Sequence, residues 1–389
     1  MNSATANQDE VKGGATKDGV SDGSSTGDVS NSETRQHQSA DLQKNPAITA
    51  DQLKLAIHQH VQHDIDRVNK ILKSSLRSSS PLVAEMVDHV SRYQGKQLRP
   101  ILLMLTHRMS EQVDVATEKA KQESKQLPPD QAARMLAASV EMIHLATLVH
   151  DDVIDEAETR RHVATVHRRW NTEASVLLGD FLFSRAFHLS ATAGDAAACA
   201  LIGKATDRTC EGELNQMAAR LEQSRSELDY FRIIRGKTGQ LFGLACRLGA
   251  KSADASAKQQ AAASRFGLRL GLAFQIADDI LDLTESSDKT GKDAANDIQN
   301  GRRTLPILRA LRFASADEEK TLNRLLNHSA DDAFDQIKNL PCVAKGIESA
   351  TQTAQLLVSR AITDLQQFRD CPERQLLASI ATFAVRRNS

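Results

Sequence analysis

The sequence predicts an all-α protein, and three observations carry that reading. Apolar residues recur at intervals of three and four through most of the chain, the period of one helix face. Only 4% of the 389 residues are aromatic and 8 are proline, whereas sandwiches and propellers accumulate Tyr, Trp and turn prolines. Alanine and leucine dominate the apolar set, and both are strong helix formers.

Residues 1–46 are mainly Gly, Ser, Thr, Asp and Asn, with hardly any apolar residue larger than Val. So little buriable surface does not offset chain entropy, so a disordered polar tail is expected ahead of a helical domain over 47–389. Helical spacing runs through 49–76 and 98–120. Residues 110–130, rich in Lys, Gln and Glu, end in Pro128-Pro129 and read as a helix tail and exposed loop. The next helix, 130–155, is apolar on nearly every face over 130–150, as suits the centre of a bundle. Further helices are expected over 172–192, 197–219, 225–250 and 255–283. Residues 284–303 break the pattern with Ser, Asp, Gly and Asn, giving a polar loop of about twenty residues. Shorter helices follow through 303–386.

The balance of 49 basic against 50 acidic residues offers no global field for nucleic acid. Cys199, Cys210, Cys246, Cys342 and Cys371 are scattered without a CxxC pair and read as reduced core thiols. No apolar run approaches the roughly 20 residues of a membrane span; the longest, Leu136 to Val149, contains Glu141 and His144. The N-terminus has no apolar signal core, and Asp9 and Glu10 precede any basic residue, so neither a secretory signal nor an Arg-rich transit peptide is expected. A cytoplasmic protein without a transmembrane segment is the expectation.

One short motif occurs twice, each time after an apolar helix: Asp151-Asp152-Val153-Ile154-Asp155 and Asp278-Asp279-Ile280-Leu281-Asp282. On a helix, Asp151 and Asp155 project side by side, as do Asp278 and Asp282. Like charges at that spacing destabilise a helix by a few tenths of a kcal/mol, unless something positive lies between them. Hard divalent cations with oxygen ligands fit best, above all Mg²⁺ shared with a substrate phosphate. One such cluster usually forms a solvated acidic face; two, each ending a buried helix, point to a metal site.

Phosphate ligands are the matching search. Lys96 and Arg99 lie three apart at a helix start, where backbone N–H groups also favour anions. Arg160-Arg161 follows the first acidic cluster, Lys237-Thr238 follows Arg235-Gly236, and Lys292 and Arg302-Arg303 follow the second cluster. Around two acidic motifs, these basic pairs describe a cavity for two diphosphates, one bridged by Mg²⁺ and one held by Arg and Lys.

The stretches GKQLRP (95–100), VEMIHLATLVHDDVIDEAETRR (140–161), SVLLGDFLFSRAF (175–187), EGELNQ (211–216), KTGQLF (237–242), AFQIADDILDL (273–283) and GRRTLP (301–306) carry a family resemblance. From about residue 50 to its end the chain resembles the trans-isoprenyl diphosphate synthases, of the long-chain polyprenyl branch (octaprenyl or solanesyl type). The resemblance implies a single large helical bundle of isoprenoid synthase type around a central apolar cavity, a prenyltransferase activity, Mg²⁺ and a homodimer. It implies that Lys96, Arg99, His144 and Arg161 hold isopentenyl diphosphate. Arg160, Lys237, Thr238, Gln275, Lys292 and Arg302 would hold the allylic diphosphate. Asp151, Asp155, Asp278 and Asp282 would bind the metal, and Asp151, Asp152, Asp155, Asp278, Asp279 and Lys237 form the catalytic set. Arg302 stands where the family commonly has Lys, which keeps charge but changes geometry. His162, His167, Asn171 and Ala295 are further departures, standing for Gly, Asn, Gly and Gly.

Ionisation of the allylic C–O bond, attack by the isopentenyl double bond and loss of a proton complete the implied reaction, with diphosphate as a reasonable base. The product grows into the bundle, and each helical turn advances ~5.4 Å, about one isoprene unit. Ala146 and Thr147 precede Asp151 by five and four residues and are small, where short-chain relatives commonly carry an aromatic. A product beyond about four isoprene units is therefore expected, with Ala146 lining an open tunnel. Met142, Phe181, Leu182 and Phe183 form either a deeper floor or plain core.

Rival readings are weaker. Glu141-Met-Ile-His144 is half of a di-iron bundle signature, but no second ExxH occurs in the sequence. A terpene cyclase would not need the pocket of Lys96, Arg99 and Arg161, and a non-catalytic subunit of a heteromeric synthase would not need intact aspartates in both motifs.

Overall fold

Thr49 opens the first helix with a reciprocal cap: its hydroxyl accepts from Gln52 N at 3.2 Å, and Gln52 Oε1 accepts from Thr49 N at 2.9 Å. The computed structural model describes residues 49–93, 95–111, 127–221, 226–284, 303–327 and 333–386. The expected tail boundary at 46/47, most of the polar loop before Arg303, and Lys292, Ala295 and Arg302 lie outside the described residues.

Among the described residues the chain is helical apart from one short hairpin. The order is α1 (Ala50–Ser75), α2 (Pro81–Ser91), α3 (Leu98–Ser110), α4 (Pro129–Ile154), β1 (Thr159–Arg160), β2 (Val163–Ala164), α5 (Val166–Arg169), α6 (Thr172–Thr192), α7 (Ala196–Leu221) and α8 (Glu227–Ile234). A π turn (Arg235–Gly239) then leads into α9 (Gln240–Ser252), followed by α10 (Ala257–Thr284), α11 (Leu305–Phe313), α12 (Ala316–Asn327), α13 (Ala333–Lys338), α14 (Pro341–Asp364) and α15 (Pro372–Arg386). Prolines stand at the first turns of α2, α4, α11 and α14, where the missing N–H costs nothing.

Several boundaries differ from the expected ones. The 225–250 helix is two helices joined by a π turn, α2 and the hairpin were not anticipated, and α3 ends at Ser110 rather than near 120. The last part is not uniformly short, since α14 runs for 24 residues. Its small buried residues, Gly346, Ala350, Ala354 and Ala361, let it pack closely along α10 and α11.

α4 is the central helix. Fifteen of its residues, from Ala133 to Asp152, are buried, and it packs against α1, α3, α6 and α9. By length and composition alone it is long enough to cross a membrane, contrary to the reading of its sequence, yet 72% of its most apolar window is buried inside the protein. The cysteines are unpaired, but only Cys246, Cys342 and Cys371 are buried; Cys199 is half-buried and Cys210 exposed.

Candidate active site

The two acidic motifs end two long helices. Asp151 and Asp152 lie in the last turn of α4, whose hydrogen bonding reaches Asp155 N, 2.8 Å from Asp151 O. Asp278, Asp279 and Asp282 close α10. The middle aspartate of each motif's three is the most deeply buried. Asp152 is 1% exposed and accepts from Arg160 Nε at 2.7 Å. Asp279 is 4% exposed, and its two oxygens accept from Gln275 Nε2 at 2.9 Å and Tyr230 OH at 2.5 Å. Successive residues on a helix are rotated by ~100°, so anchoring the middle aspartate leaves its neighbours on a different face.

A third segment joins the motifs. The π turn after α8 presses Gly236 against Gly212 of α7; a Cβ on Gly212 would stand 2.9 Å from Gly236 Cα and 2.8 Å from Lys237 N. Only glycine permits that approach, and single π turns recur at functional sites. Lys237 Nζ lies 3.1 Å from Asp151 Oδ2 and 3.0 Å from Glu213 Oε2. Thr238, next in sequence, donates to Gln275 Oε1 at 2.8 Å. Contacts therefore run without a break from Asp151 through Lys237-Thr238 and Gln275 to Asp279, bringing both motifs to one mouth. Burial, with Asp151 beside it, raises the Glu213 carboxyl above the usual range despite the Lys237 ammonium.

Beside this mouth is a group of cations. The hairpin turns on Arg161-His162, whose φ values of 51° and 62° are both left-handed, as a two-residue type I′ turn requires. It sends Arg160 to Asp152 and Arg161 to the carbonyl of Tyr93, with the Arg161 guanidinium lying where any Cβ on Gly95 would collide. Arg99, in the first turn of α3, lies 5.0 Å over the Phe242 ring. Burial lowers its pKa to about 10, with Arg161 acting the same way and Glu141 opposing. His144 is held well below its usual 6.5 by burial and by Arg99, Arg160 and Arg161, so it is neutral at pH 7. Glu141, one turn earlier on α4, is 3% exposed, and its Oε2 has no hydrogen-bond partner among the described residues. Burial raises its pKa against the pull of Arg99 and Arg161. Lys96 is exposed just before α3.

Below Asp151, Met142 and Ala146 are fully buried in the main core, and Thr147 is half-buried with its hydroxyl donating to His144 O at 2.8 Å. Phe181, Leu182 and Phe183 lie on α6, which packs along α4. Phe181 is half-buried under the Arg185 guanidinium, Leu182 is buried, and Phe183 meets His150. Of the departures from the family pattern, Asn171 caps α6 by accepting from Ala174 N at 2.7 Å, and His167 Nδ1 is 3.1 Å from Thr165 Oγ1.

The reading of the sequence gave no site role to Glu141, Glu213 or Tyr230. Glu213 sits in the quoted EGELNQ stretch, but its pairing with Lys237 shows only in the structure.

The polyprenyl synthetase family model matches residues 80–341. The octaprenyl diphosphate synthase of Haemophilus influenzae is 30% identical over 326 residues, covering 84% of this chain and 94% of the relative. The nonaprenyl diphosphate synthase of Mycobacterium tuberculosis is 32% identical over 330 residues, covering 84% and 93%. Among solved structures, the polyprenyl synthase of Caulobacter crescentus CB15 complexed with calcium and isoprenyl diphosphate superposes with a TM-score of 0.77 at 28% identity, covering 89% of this chain and all of that one.

Proposed function

The chain belongs to the polyprenyl synthetase family, and from that premise we propose that it condenses isopentenyl diphosphate with an allylic prenyl diphosphate to build a long-chain all-trans polyprenyl diphosphate. The observation that carries this is the run of contacts Asp151–Lys237-Thr238–Gln275–Asp279, with Arg99, Arg160, Arg161 and His144 grouped beside it.

Asp151, Asp155, Asp278 and Asp282 offer only carboxylate oxygens, a donor set that suits a hard divalent cation. Lys237 already rests its ammonium against Asp151, which supports a cation-binding role for that carboxylate. Mg²⁺ held there supplies charge neutralisation for the departing diphosphate. Lys237, Thr238, Gln275, Arg160, Lys292 and Arg302 hold the allylic diphosphate. Asp152 orients Arg160, while Asp279 fixes Gln275. Lys96, Arg99, His144 and Arg161 bind the isopentenyl diphosphate, with neutral His144 contributing a hydrogen bond rather than a charge. The cations that hold the allylic diphosphate stabilise negative charge as the C–O bond breaks, and the surrounding helices exclude water from the carbocation. Small Ala146 leaves the chain free to lengthen along α4 and α6.

The working unit is a homodimer. α6 exposes Val176 and Leu177 and α7 exposes Leu214, Met217 and Leu221, apolar residues that a second copy would cover. A cytoplasmic location is part of this proposal; the burial of α4 bears only on whether that helix spans a membrane.

Asp151→Ala is expected to lose metal-dependent condensation while keeping the parent's circular dichroism and melting profile. Full activity in that variant would overturn the metal assignment.

A further inference from the structure

Toward the opposite end of α4 from the aspartates, three side chains with metal-ligand atoms converge. His107, in the last turn of α3, is 1% exposed. Its Nε2 is 3.2 Å from Asp130 Oδ1 and 3.5 Å from Glu111 Oε1. Its Nδ1 is 2.8 Å from Ser252 Oγ, which itself donates to Gly249 O at 2.9 Å. A hydroxyl has one hydrogen, so Ser252 accepts from Nδ1–H. In the neutral ring, Nε2 then turns a lone pair toward two carboxylates, an arrangement that calls for a positive species between them.

Either a proton on Nε2 or a metal ion would serve. The geometry favours the metal. An N–H on Nε2 meets Asp130 Oδ1 at 3.2 Å, a hydrogen-bond distance, but leaves Glu111 Oε1, at 3.5 Å, beyond the usual range, whereas an ion between them engages both carboxylates. Ligand atoms at 2.0–2.1 Å from a tetrahedral zinc lie roughly 3.3 Å apart, close to the 3.2 and 3.5 Å separations from Nε2, and the three ligand atoms all lie within 4.8 Å of one another. The Ser252 contact fixes ring and tautomer, as partners of metal-bound histidines do.

The neighbouring arginines do not use up the site. Arg108 and Arg134 both bind buried Asp64, at 2.6 and 2.7 Å, and Arg134 reaches only Oδ2 of Asp130, at 3.1 Å. Asp64, Asp130 and Glu111 carry three negative charges against the two arginines, which leaves one to be met by a proton or a metal ion at His107. We propose that His107, Glu111 and Asp130, completed by water, bind a divalent transition metal at a site separate from the catalytic mouth, zinc being the ion that suits one imidazole and two carboxylates. This metal ties the end of α3 to the start of α4 and takes no part in catalysis.

The test uses the full-length chain in saturating Mg²⁺, which occupies all-oxygen sites, titrated with zinc. Bound zinc is counted after desalting, melting temperature is followed, and cobalt is substituted for its visible spectrum. The parent should retain one zinc per chain, melt at higher temperature with zinc than without, and give tetrahedral cobalt bands. Glu111→Gln, at a half-exposed position, and His107→Gln should each bind zinc at least tenfold more weakly and lose those bands. If His107→Gln does not fold, Glu111→Gln decides. Failure of the Mg²⁺-saturated parent to retain zinc, or equal zinc affinity in parent and variants, would overturn the proposal.

Discussion

Lys237 holds its ammonium 3.1 Å from the Asp151 carboxylate while also meeting Glu213 at 3.0 Å. One cation thus stands where the acidic motif of α4 meets the π turn before α9. Lys237→Ala should lower kcat by about 10²–10³, the scale of losing one group that stabilises developing charge. The KM for isopentenyl diphosphate should change little, because that substrate binds through other residues. Steady-state kinetics with each substrate varied in turn checks the split.

Glu141 offers a contrast, since it acts through the arginines. Replacing it with Gln keeps the shape but removes the counter-charge beneath Arg99 and Arg161. Thermal stability should fall, on the order of 1–3 kcal/mol, while inorganic diphosphate should inhibit several-fold more tightly. Melting curves with and without diphosphate read both effects in one experiment.

The depressed pKa of His144 fixes the sign of a pH effect. The unfolded chain protonates this histidine near its usual 6.5, whereas the folded protein resists protonation until the pH is well below that. Stability from this residue is therefore complete above about pH 6.5 and lost as pH falls toward the folded pKa. Denaturant melts between pH 7.5 and 5 should show a drop in the parent that is smaller in His144→Gln.

His162 stands in left-handed backbone at φ 62°, which costs an L-residue about 1–2 kcal/mol. His162→Gly removes that strain but adds chain entropy of about 0.5–1 kcal/mol, so its melting temperature should match or slightly exceed the parent's. His162→Val, branched where φ is positive, should cost about 1–3 kcal/mol. Differential scanning calorimetry of the two variants checks the ordering.

These residues also mark what the sequence makes legible. α4 and α10 show in the apolar pattern, and the aspartates at their ends show because a charge cluster repeats. The roles of Glu141, Glu213 and Tyr230 arise from partners distant in sequence, as with Tyr230 and Asp279, and no local pattern encodes such pairings. The hairpin escaped notice because its turn uses Arg161-His162 in place of the glycine or asparagine that usually marks one. The π turn is nearly invisible in periodicity, since it inserts its extra residue inside a continuous helical pattern.

The most direct test of the central claim is mass analysis of products made by the purified chain from isopentenyl diphosphate, a short allylic primer and Mg²⁺. The parent should release linear polyprenyl diphosphate longer than four isoprene units, and Ala146→Tyr should release shorter chains at comparable consumption of isopentenyl diphosphate. Cyclised hydrocarbon, no condensation at all, or an unchanged product length in Ala146→Tyr would contradict the account.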